Sequence, residues 1–184
     1  MRATDFHLPI ELQGQERVPM PELYAALAAD EARNTLIFDD VLTALDAGRC
    51  PLVLTERRDH LEALRGRFEK FAKNVVVLRG GMGSRERRAA EEILRVPWSE
   101  ERLVLSTGRF LGEGFDDARL DTLFLVSPIS WKGTLAQYVG RLHREHEGKG
   151  EVRVYDYVDE NVQVLVRMAA RRRAGYKALG YTIE

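Results

Sequence analysis

The stretch from Gln137 to Arg144, with the sequence QYVGRLHR, places an amide and two guanidinium groups at helical spacing. Gln137, Arg141 and Arg144 lie at positions i, i+4 and i+7, so an α-helix brings them within roughly 60° of one another on one face. Leu135, Tyr138, Val139 and Leu142 fall on the opposite side, as a core-facing stripe should. The spacing therefore predicts a helix that packs one face and presents the other to a polyanion.

A glycine-rich segment with the sequence STGRFLGEGFD spans Ser106 to Asp116 and directly follows an apolar run. Three glycines in this segment permit positive φ values and close approach of the backbone to a ligand. Thr107 and the neighbouring amides can hold a phosphate, and Asp116 can accept hydrogen bonds from a ribose or orient an arginine. Taken alone, the segment fits equally a surface loop with turn glycines and a solvated pair, Asp116 and Asp117.

Composition narrows the function classes. The chain has 184 residues, of which 45% are hydrophobic and 31% charged, as in an ordinary globular domain. Its net charge of −1 excludes a global basic field, so nucleic-acid contacts would come from local patches. The single Cys50 excludes an internal disulfide and a cysteine-based zinc site. No apolar run reaches the ~20 residues of a membrane span, and the N-terminus lacks a signal-peptide pattern, so we expect a cytoplasmic location and no membrane partner.

Strands and helices alternate along most of the chain. Short apolar runs predict strands at 51–55, 74–78, 102–106, 122–126 and 152–158. Helical periodicity predicts helices that start at Pro21, Asp30 and Ser84, one with the stripe Leu61, Leu64, Phe68 and Phe71, one over 134–144 and one over 160–178. This alternation favours βαβ units, a parallel sheet and helices on both faces. Ligands of such sheets sit beyond the carboxyl ends of the strands, where the loops 55–59, 79–84, 106–117 and 127–133 fall.

The ends of the chain are interpreted from weaker patterns. Residues 1–29 are expected to form an N-terminal connector with a short helix and a strand at Phe6–Leu8, and residues 30–184 to form the domain. Asp39 and Asp40 are interpreted as a solvated helix face. Arg171–Arg173 suit the negative end of the last helix and are also interpreted as solvated.

Four motifs in order resemble those of the second motor domain of superfamily 2 helicases, over about residues 33–158. Gln137–Arg144 is similar to motif VI, and Thr107 with the later Gly114-Phe115-Asp116 is similar to motif V. LVLTERRDHLEAL resembles motif IV, and VLRGGMGSRERR resembles the segment over the nucleic acid. The sequence of residues 112–144 most resembles that of restriction-type and repair-type DNA helicases. Gln137-Tyr138 replaces the His-Arg of DEAD-box motif VI, which favours DNA over RNA as the partner.

The resemblance implies a RecA-like α/β fold and a role for each matched residue. Arg141 and Arg144 would act as arginine fingers, and Gln137 would contact the γ-phosphate of ATP or couple the fingers to the nucleic-acid side. The ATP site would include Gly114, Asp116 and Gly140. Backbone phosphates of the nucleic acid would meet Thr107, Gly108, Gly81, Arg57 and Arg87, with further charge from Arg58, Arg79 and Arg85.

Two phosphate-chemistry elements are missing from the sequence. It contains no Gly-x-x-x-x-Gly-Lys-[Ser/Thr] loop and no strand-borne acidic box for Mg²⁺. ATP and Mg²⁺ would therefore be held mainly by a first, N-terminal RecA-like domain of the same motor. We expect this chain alone to be inactive in hydrolysis.

Two other interpretations remain open. A RecA-like module could bind nucleic acid or a partner and never hydrolyse ATP. Such a binder has no need of two arginines on one helix face beside a glycine-rich loop, and this favours the motor domain. A sugar-nucleotide enzyme with a similar doubly wound domain is the third interpretation, but the sequence offers no identifiable catalytic base.

Overall fold

A six-stranded, all-parallel sheet forms the centre of the computed structural model, which describes residues 1–15, 18–97, 99–108, 110, 117–129 and 134–184. The strands are β1 (Arg2–Thr4), β2 (Pro51–Thr55), β3 (Val75–Leu78), β4 (Leu103–Thr107), β5 (Thr122–Leu125) and β6 (Arg153–Asp159). Their order across the sheet is β1-β6-β5-β2-β4-β3, and all neighbours are parallel. The predicted α/β class with a parallel sheet is confirmed.

The described helices are α1 (Met20–Ala29), α2 (Glu31–Asp46), α3 (Arg58–Phe68), α4 (Ser84–Leu94), α5 (Thr134–Leu142) and α6 (Gln163–Ala178), with a 3-10 turn at Ile10–Leu12. Asp30 caps α2 as predicted, because its Oδ1 accepts from the backbone N–H of Arg33 at 2.7 Å. Helix α3 ends earlier than predicted, and Phe71 beyond its end is 63% exposed. Phe71 instead packs edge-on against Phe38 of α2.

Side-chain alternation along the strands divides the core between the two faces of the sheet. Leu52 and Leu54 of β2 point to the face covered by α4, α5 and α6, whereas Val53 points to the face covered by α2 and α3. All three side chains are at most 3% exposed. The sheet therefore has helices on both faces, and its apolar runs are continuous because both faces are buried.

The N-terminal segment differs from its prediction. The strand expected at Phe6–Leu8 is wrong: β1 is formed by Arg2–Thr4 and pairs with β6 in the register Arg2↔Tyr157. Thr4 Oγ1 fixes this pairing by donating to Asp159 Oδ1 at 2.6 Å. Phe6 is only 2% exposed and packs in a cluster with Leu23, Leu27, Val162 and Leu165. Residues 1–29 thus contribute an edge strand to the sheet and a helix to the fold. The domain boundary at residue 30 stays a prediction.

Two charged groups expected on the surface are buried. Asp40 is 8% exposed; it accepts from the Tyr157 hydroxyl at 3.0 Å and pairs with Arg2 at 2.9 Å. Arg172 is 1% exposed and binds Asp156 through Nε and Nη2, at 2.7 and 2.8 Å. The physical reason is that β6 carries polar side chains into the core, and each buried polar group requires a partner.

No helix in the described part of the chain is long and apolar enough to cross a membrane. The cytoplasmic location expected from the sequence stays a prediction.

Candidate functional site

The residues predicted to contact ligands fall into two groups at opposite edges of the sheet. Thr107 ends β4, Gly108 follows it, and Gly81 lies in the loop after β3, so these residues share the carboxyl edge. Helix α5 leaves β5 at that edge and ends at Leu142, before the chain enters β6 at its amino end. Arg144 accordingly lines a cleft with the first residues of β6. The structure does not bring Arg144 and Thr107 together.

Helix α5 has the two faces that its sequence predicts. Tyr138, Val139 and Leu142 are at most 2% exposed and pack in the core. On the outer face Gln137, Gly140 and Arg144 are exposed and Arg141 is half-buried. The turn past the helix end keeps Arg144 close to this face, because its backbone N–H donates to the Arg141 carbonyl at 3.3 Å. The side chain of Leu135, predicted for the buried stripe, lies outside the described residues.

An open cleft of about 930 Å³ lies at the amino edge, between the end of α5, the start of β6 and the C-terminal segment. Its lining carries charges of both signs: the cations include Arg144, Lys149 and Arg153, and the anions are Glu145, Glu151 and Glu184. Lys149 Nζ donates to the carbonyls of Arg144 and Ala118, both at 3.0 Å, which ties the turn after α5 to the segment before β5. The exposed guanidinium of Arg144 is the group in this cleft that the sequence predicts to meet a phosphate.

His143 gives the same turn a second anchor. Its Nε2 lies 2.8 Å from the Tyr181 hydroxyl, and the two rings pack edge to face with centroids 5.3 Å apart. Tyr181 itself packs against the core beside Tyr176. His143 therefore has a structural partner that accounts for its position, and it joins the C-terminal segment to the helix that carries the arginines.

At the carboxyl edge, Gly108 links the glycine-rich segment to α5. The Tyr138 hydroxyl donates to the Gly108 carbonyl, so the buried face of α5 reaches the point where β4 ends. A Cβ atom on Gly108 would lie 3.3 Å from Cδ of Glu56 and closer still to its Oε1, so a side chain here would displace that carboxylate. Thr107 is buried, with 7% exposure. Gly108 is buried as well, and the Glu56 side chain covers the position that its Cβ would take.

Basic side chains at this edge differ in how they are held. Arg57 is paired with Asp59, with Nε 2.9 Å from Oδ1, so its charge is partly neutralised. Arg58 Nη2 instead donates to the Gly80 carbonyl at 2.7 Å and joins the start of α3 to the loop that contains Gly81. Gly81 has φ 77°, a value that favours glycine. Arg87 is exposed in the first turns of α4.

A chain of buried polar groups joins the ends of β2 and β5. No sequence pattern predicts this network. His60 Nε2 lies 2.9 Å from Asn34 Oδ1, and its Nδ1 lies 3.1 Å from Thr55 Oγ1. Thr55 Oγ1 is in turn 3.0 Å from Ser127 Oγ. Burial, reinforced by the charge of Arg33, lowers the pKa of His60 to about 4, so the imidazole is neutral at pH 7. This network fixes the starts of the loops that follow β2 and β5.

Two predicted ATP-site residues, Gly114 and Asp116, lie outside the described residues. Their assigned roles stay predictions.

Comparison with known proteins gives sequence relatives of much greater length. No family model matches the chain. The transcript termination protein A18 of vaccinia virus (strain Ankara) is 29% identical over 123 residues, which are 66% of this chain and 24% of that protein. A18 of fowlpox virus (strain NVSL) is 23% identical over 141 residues, or 75% of this chain and 30% of that protein. The chain thus spans less than a third of the length of these curated relatives.

Solved structures match over more of the chain. UvsW of T4 superimposes with a TM-score of 0.70 and 16% identity, covering 91% of this chain and 36% of UvsW. The C-terminal part of the Fun30 ATPase domain gives a TM-score of 0.59 and 12% identity, covering 77% of this chain and 45% of that one. The chain therefore has the RecA-like α/β fold that its motif order predicted.

Proposed function

We propose that this chain is the second motor domain of an ATP-dependent superfamily 2 helicase or translocase that acts on DNA. One observation carries the proposal: α5 packs on the sheet, Tyr138 in its middle contacts Gly108 at the carboxyl edge, and Arg144 just past its end lines the cleft at the amino edge. A domain that must connect a nucleic-acid strand with a nucleotide requires such a connection. A module that only binds a strand does not.

The carboxyl edge is the nucleic-acid side in this proposal. Backbone N–H groups near Gly81 and Gly108, with the exposed guanidinium of Arg87, suit the phosphates of a single strand. Contacts of this kind carry no sequence information and weaken as salt rises. Arg58 serves chiefly to hold the Gly80 carbonyl, and Arg57 contributes less charge than its sequence position suggests because Asp59 neutralises part of it.

The amino edge is the nucleotide side. Arg141 and Arg144 would face the γ-phosphate of ATP bound to a first RecA-like domain, and Gln137 and Gly140 share their exposed helix face. ATP with Mg²⁺ supplies the phosphoryl group that is hydrolysed; the arginines stabilise the negative charge that develops on it. The packed face of α5, together with the anchors from Lys149 and His143, keeps these guanidiniums from moving independently of the sheet.

The sequences of the motifs favour DNA over RNA as the strand that the domain binds. The viral relatives are named for transcript termination, which supports a nucleic-acid partner for this chain and makes RNA the natural comparison. Binding of matched DNA and RNA strands should therefore be measured side by side.

The direct test of the proposal is complementation. The purified chain alone should hydrolyse ATP no faster than buffer, because it lacks a phosphate-binding loop. Mixing it with a first RecA-like domain that carries the loop should restore ATPase activity that single-stranded DNA stimulates, measured as phosphate release. Efficient hydrolysis by the chain alone would refute the proposal, and strand binding without stimulation would identify a non-hydrolysing binding module.

The nucleic-acid side can be tested through the salt dependence of binding. Replacing Arg57 and Arg87 together with alanine should reduce the magnitude of the slope of log K against log salt by about 1.4 for single-stranded DNA, since each of the two phosphate contacts contributes about 0.7. Fluorescence anisotropy between low and moderate salt measures this slope. The matched control is the double change Arg95→Ala and Arg173→Ala, which removes two exposed arginines elsewhere. Equal slopes for the two double variants would show that the strand does not follow this edge.

A further inference from the structure

Glu56 occupies an unusual place at the carboxyl edge. It follows β2 directly, and its backbone N–H donates to Ser127 Oγ at 3.1 Å, which fixes the direction in which the side chain leaves the strand. The side chain then extends over Gly108: its carboxylate fills the space that a Cβ atom on that glycine would need. A negative charge therefore rests against the residue that the proposed function assigns to a backbone phosphate.

No cation compensates this carboxylate among the residues that the structure describes. The two cations that follow it in the chain are engaged elsewhere, Arg57 with Asp59 and Arg58 with the Gly80 carbonyl. The neighbouring hydroxyls are engaged as well, because Tyr24 donates to the Pro128 carbonyl at 2.9 Å and Tyr138 donates to the Gly108 carbonyl.

Groups from several elements face Glu56. Tyr24 faces it from α1, Tyr138 from α5, and Ser127 from the segment after β5. Charged groups lie in the same region: Arg57, Arg58 and Asp59 follow Glu56 in the chain, Arg172 of α6 acts on Tyr24, and Arg141 of α5 acts on Tyr138. Burial, followed by the charge of Glu56, raises the pKa of both Tyr24 and Tyr138, which shows that the carboxylate lies within electrostatic reach of both rings. Burial likewise raises the pKa of Glu56 itself.

We propose that Glu56 is an electrostatic block on the nucleic-acid side of the domain: its carboxylate holds the space above Gly108, and a backbone phosphate enters only when that group is protonated or turned away. This inference rests on the proposed function, since it assumes that a strand passes over Gly108. Two negative groups a few ångströms apart repel each other strongly where water is partly excluded. The block therefore weakens binding of any strand, DNA or RNA, irrespective of sequence.

The sign of the pH dependence follows from the direction of the pKa shift. A carboxyl group whose pKa is raised becomes neutral at a higher pH than an ordinary glutamate. As the pH falls through that pKa, the repulsion disappears and strand binding by the wild-type chain should strengthen. Above it, the charged carboxylate opposes binding fully.

The test compares Glu56→Gln with the wild-type chain, using labelled single-stranded DNA and RNA of one length and measuring anisotropy at pH 8 and at pH 5. At pH 8 we expect Glu56→Gln to bind both strands about tenfold more tightly, as removal of one close like-charge contact predicts. At pH 5 the difference should narrow. The matched control is Glu91→Gln, which makes the same charge change at an exposed position in the later part of α4.

Each result has one meaning. Glu56→Gln binding no more tightly than Glu91→Gln would overturn the block, and weaker binding would overturn it by showing that Glu56 accepts a hydrogen bond from the strand. A loss confined to RNA would identify the 2′-hydroxyl as that donor and would equally refute the block. If none of the three proteins binds either strand at low salt, the proposed function fails and the inference fails with it. Equal melting temperatures establish that the variants are folded.

Discussion

Replacing Arg144 with alanine in the assembled two-domain motor should abolish ATP hydrolysis and leave ATP binding nearly intact. The guanidinium would stabilise charge that develops only in the transition state, so its loss lowers kcat rather than affinity. Arginine fingers of this kind contribute on the order of 10³–10⁵ in turnover. Strand-stimulated phosphate release gives kcat, and a fluorescent ATP analogue gives the binding constant. Arg141→Ala should show the same pattern.

The control for this experiment is Arg153→Ala. Arg153 lines the same cleft but is paired with Glu151 at the start of β6. If the cleft acted only through its total positive charge, Arg144→Ala and Arg153→Ala would lower hydrolysis to a similar extent. Arg144→Lys separates the two contributions further, because lysine keeps the charge and loses the planar, bidentate fork. Undiminished hydrolysis by Arg144→Ala would exclude the finger assignment.

Replacing Arg172 with methionine should destabilise the domain by about 3–5 kcal/mol, because it leaves the Asp156 carboxylate buried without its cation. Arg172 and Asp156 are each 1% exposed, and the guanidinium also donates to the Ile129 carbonyl at 3.2 Å. A loss of this size is a large share of the 5–15 kcal/mol that typically separates folded from unfolded domains. Urea denaturation followed by circular dichroism measures the free energy of unfolding.

The neighbouring Arg173 supplies the control, since it is exposed on the same helix and its replacement with alanine should change the free energy of unfolding by less than about 0.5 kcal/mol. A second variant identifies the cause. Adding Asp156→Asn to Arg172→Met removes the stranded charge and should recover part of the stability. A loss for Arg172→Met no greater than for Arg173→Ala would mean that the ion pair contributes little to the fold.

The central strands were predictable because both their faces are buried. Pro51–Thr55 and Leu103–Thr107 are buried throughout, so each reads as a short apolar run that no amphipathic helix would produce. Strand β1 escaped prediction because Arg2–Thr4 has a single buried side chain, and its pairing depends on β6 at the far end of the sequence. Arg172 escaped because an Arg-Arg-Arg run on a helix gives no indication that its middle member faces a buried carboxylate.

The candidate site was likewise predictable only in its local features. Helical spacing was enough to place Gln137, Arg141 and Arg144 on one face of α5, because that relation is local. The separation of Arg144 from Thr107 was not predictable from spacing, because it depends on how the chain crosses from the carboxyl edge to the amino edge between β5 and β6. The position of Glu56 over Gly108 is also beyond sequence reasoning, since the two residues belong to different βα units and meet only in the folded sheet.

Strand β1 is synthesised long before β6, the strand with which it pairs. Thr4 and its partner Asp159 are 155 residues apart, and β6 is the strand with which β1 pairs. At the usual elongation rates of about 5–20 residues per second, β1 emerges from the ribosome roughly 10–30 s before its partner. During that interval β1 has no partner, and its unpaired backbone groups could pair with another nascent chain. Completion of the sheet edge is thus a late step, and it governs how long the new chain is open to aggregation.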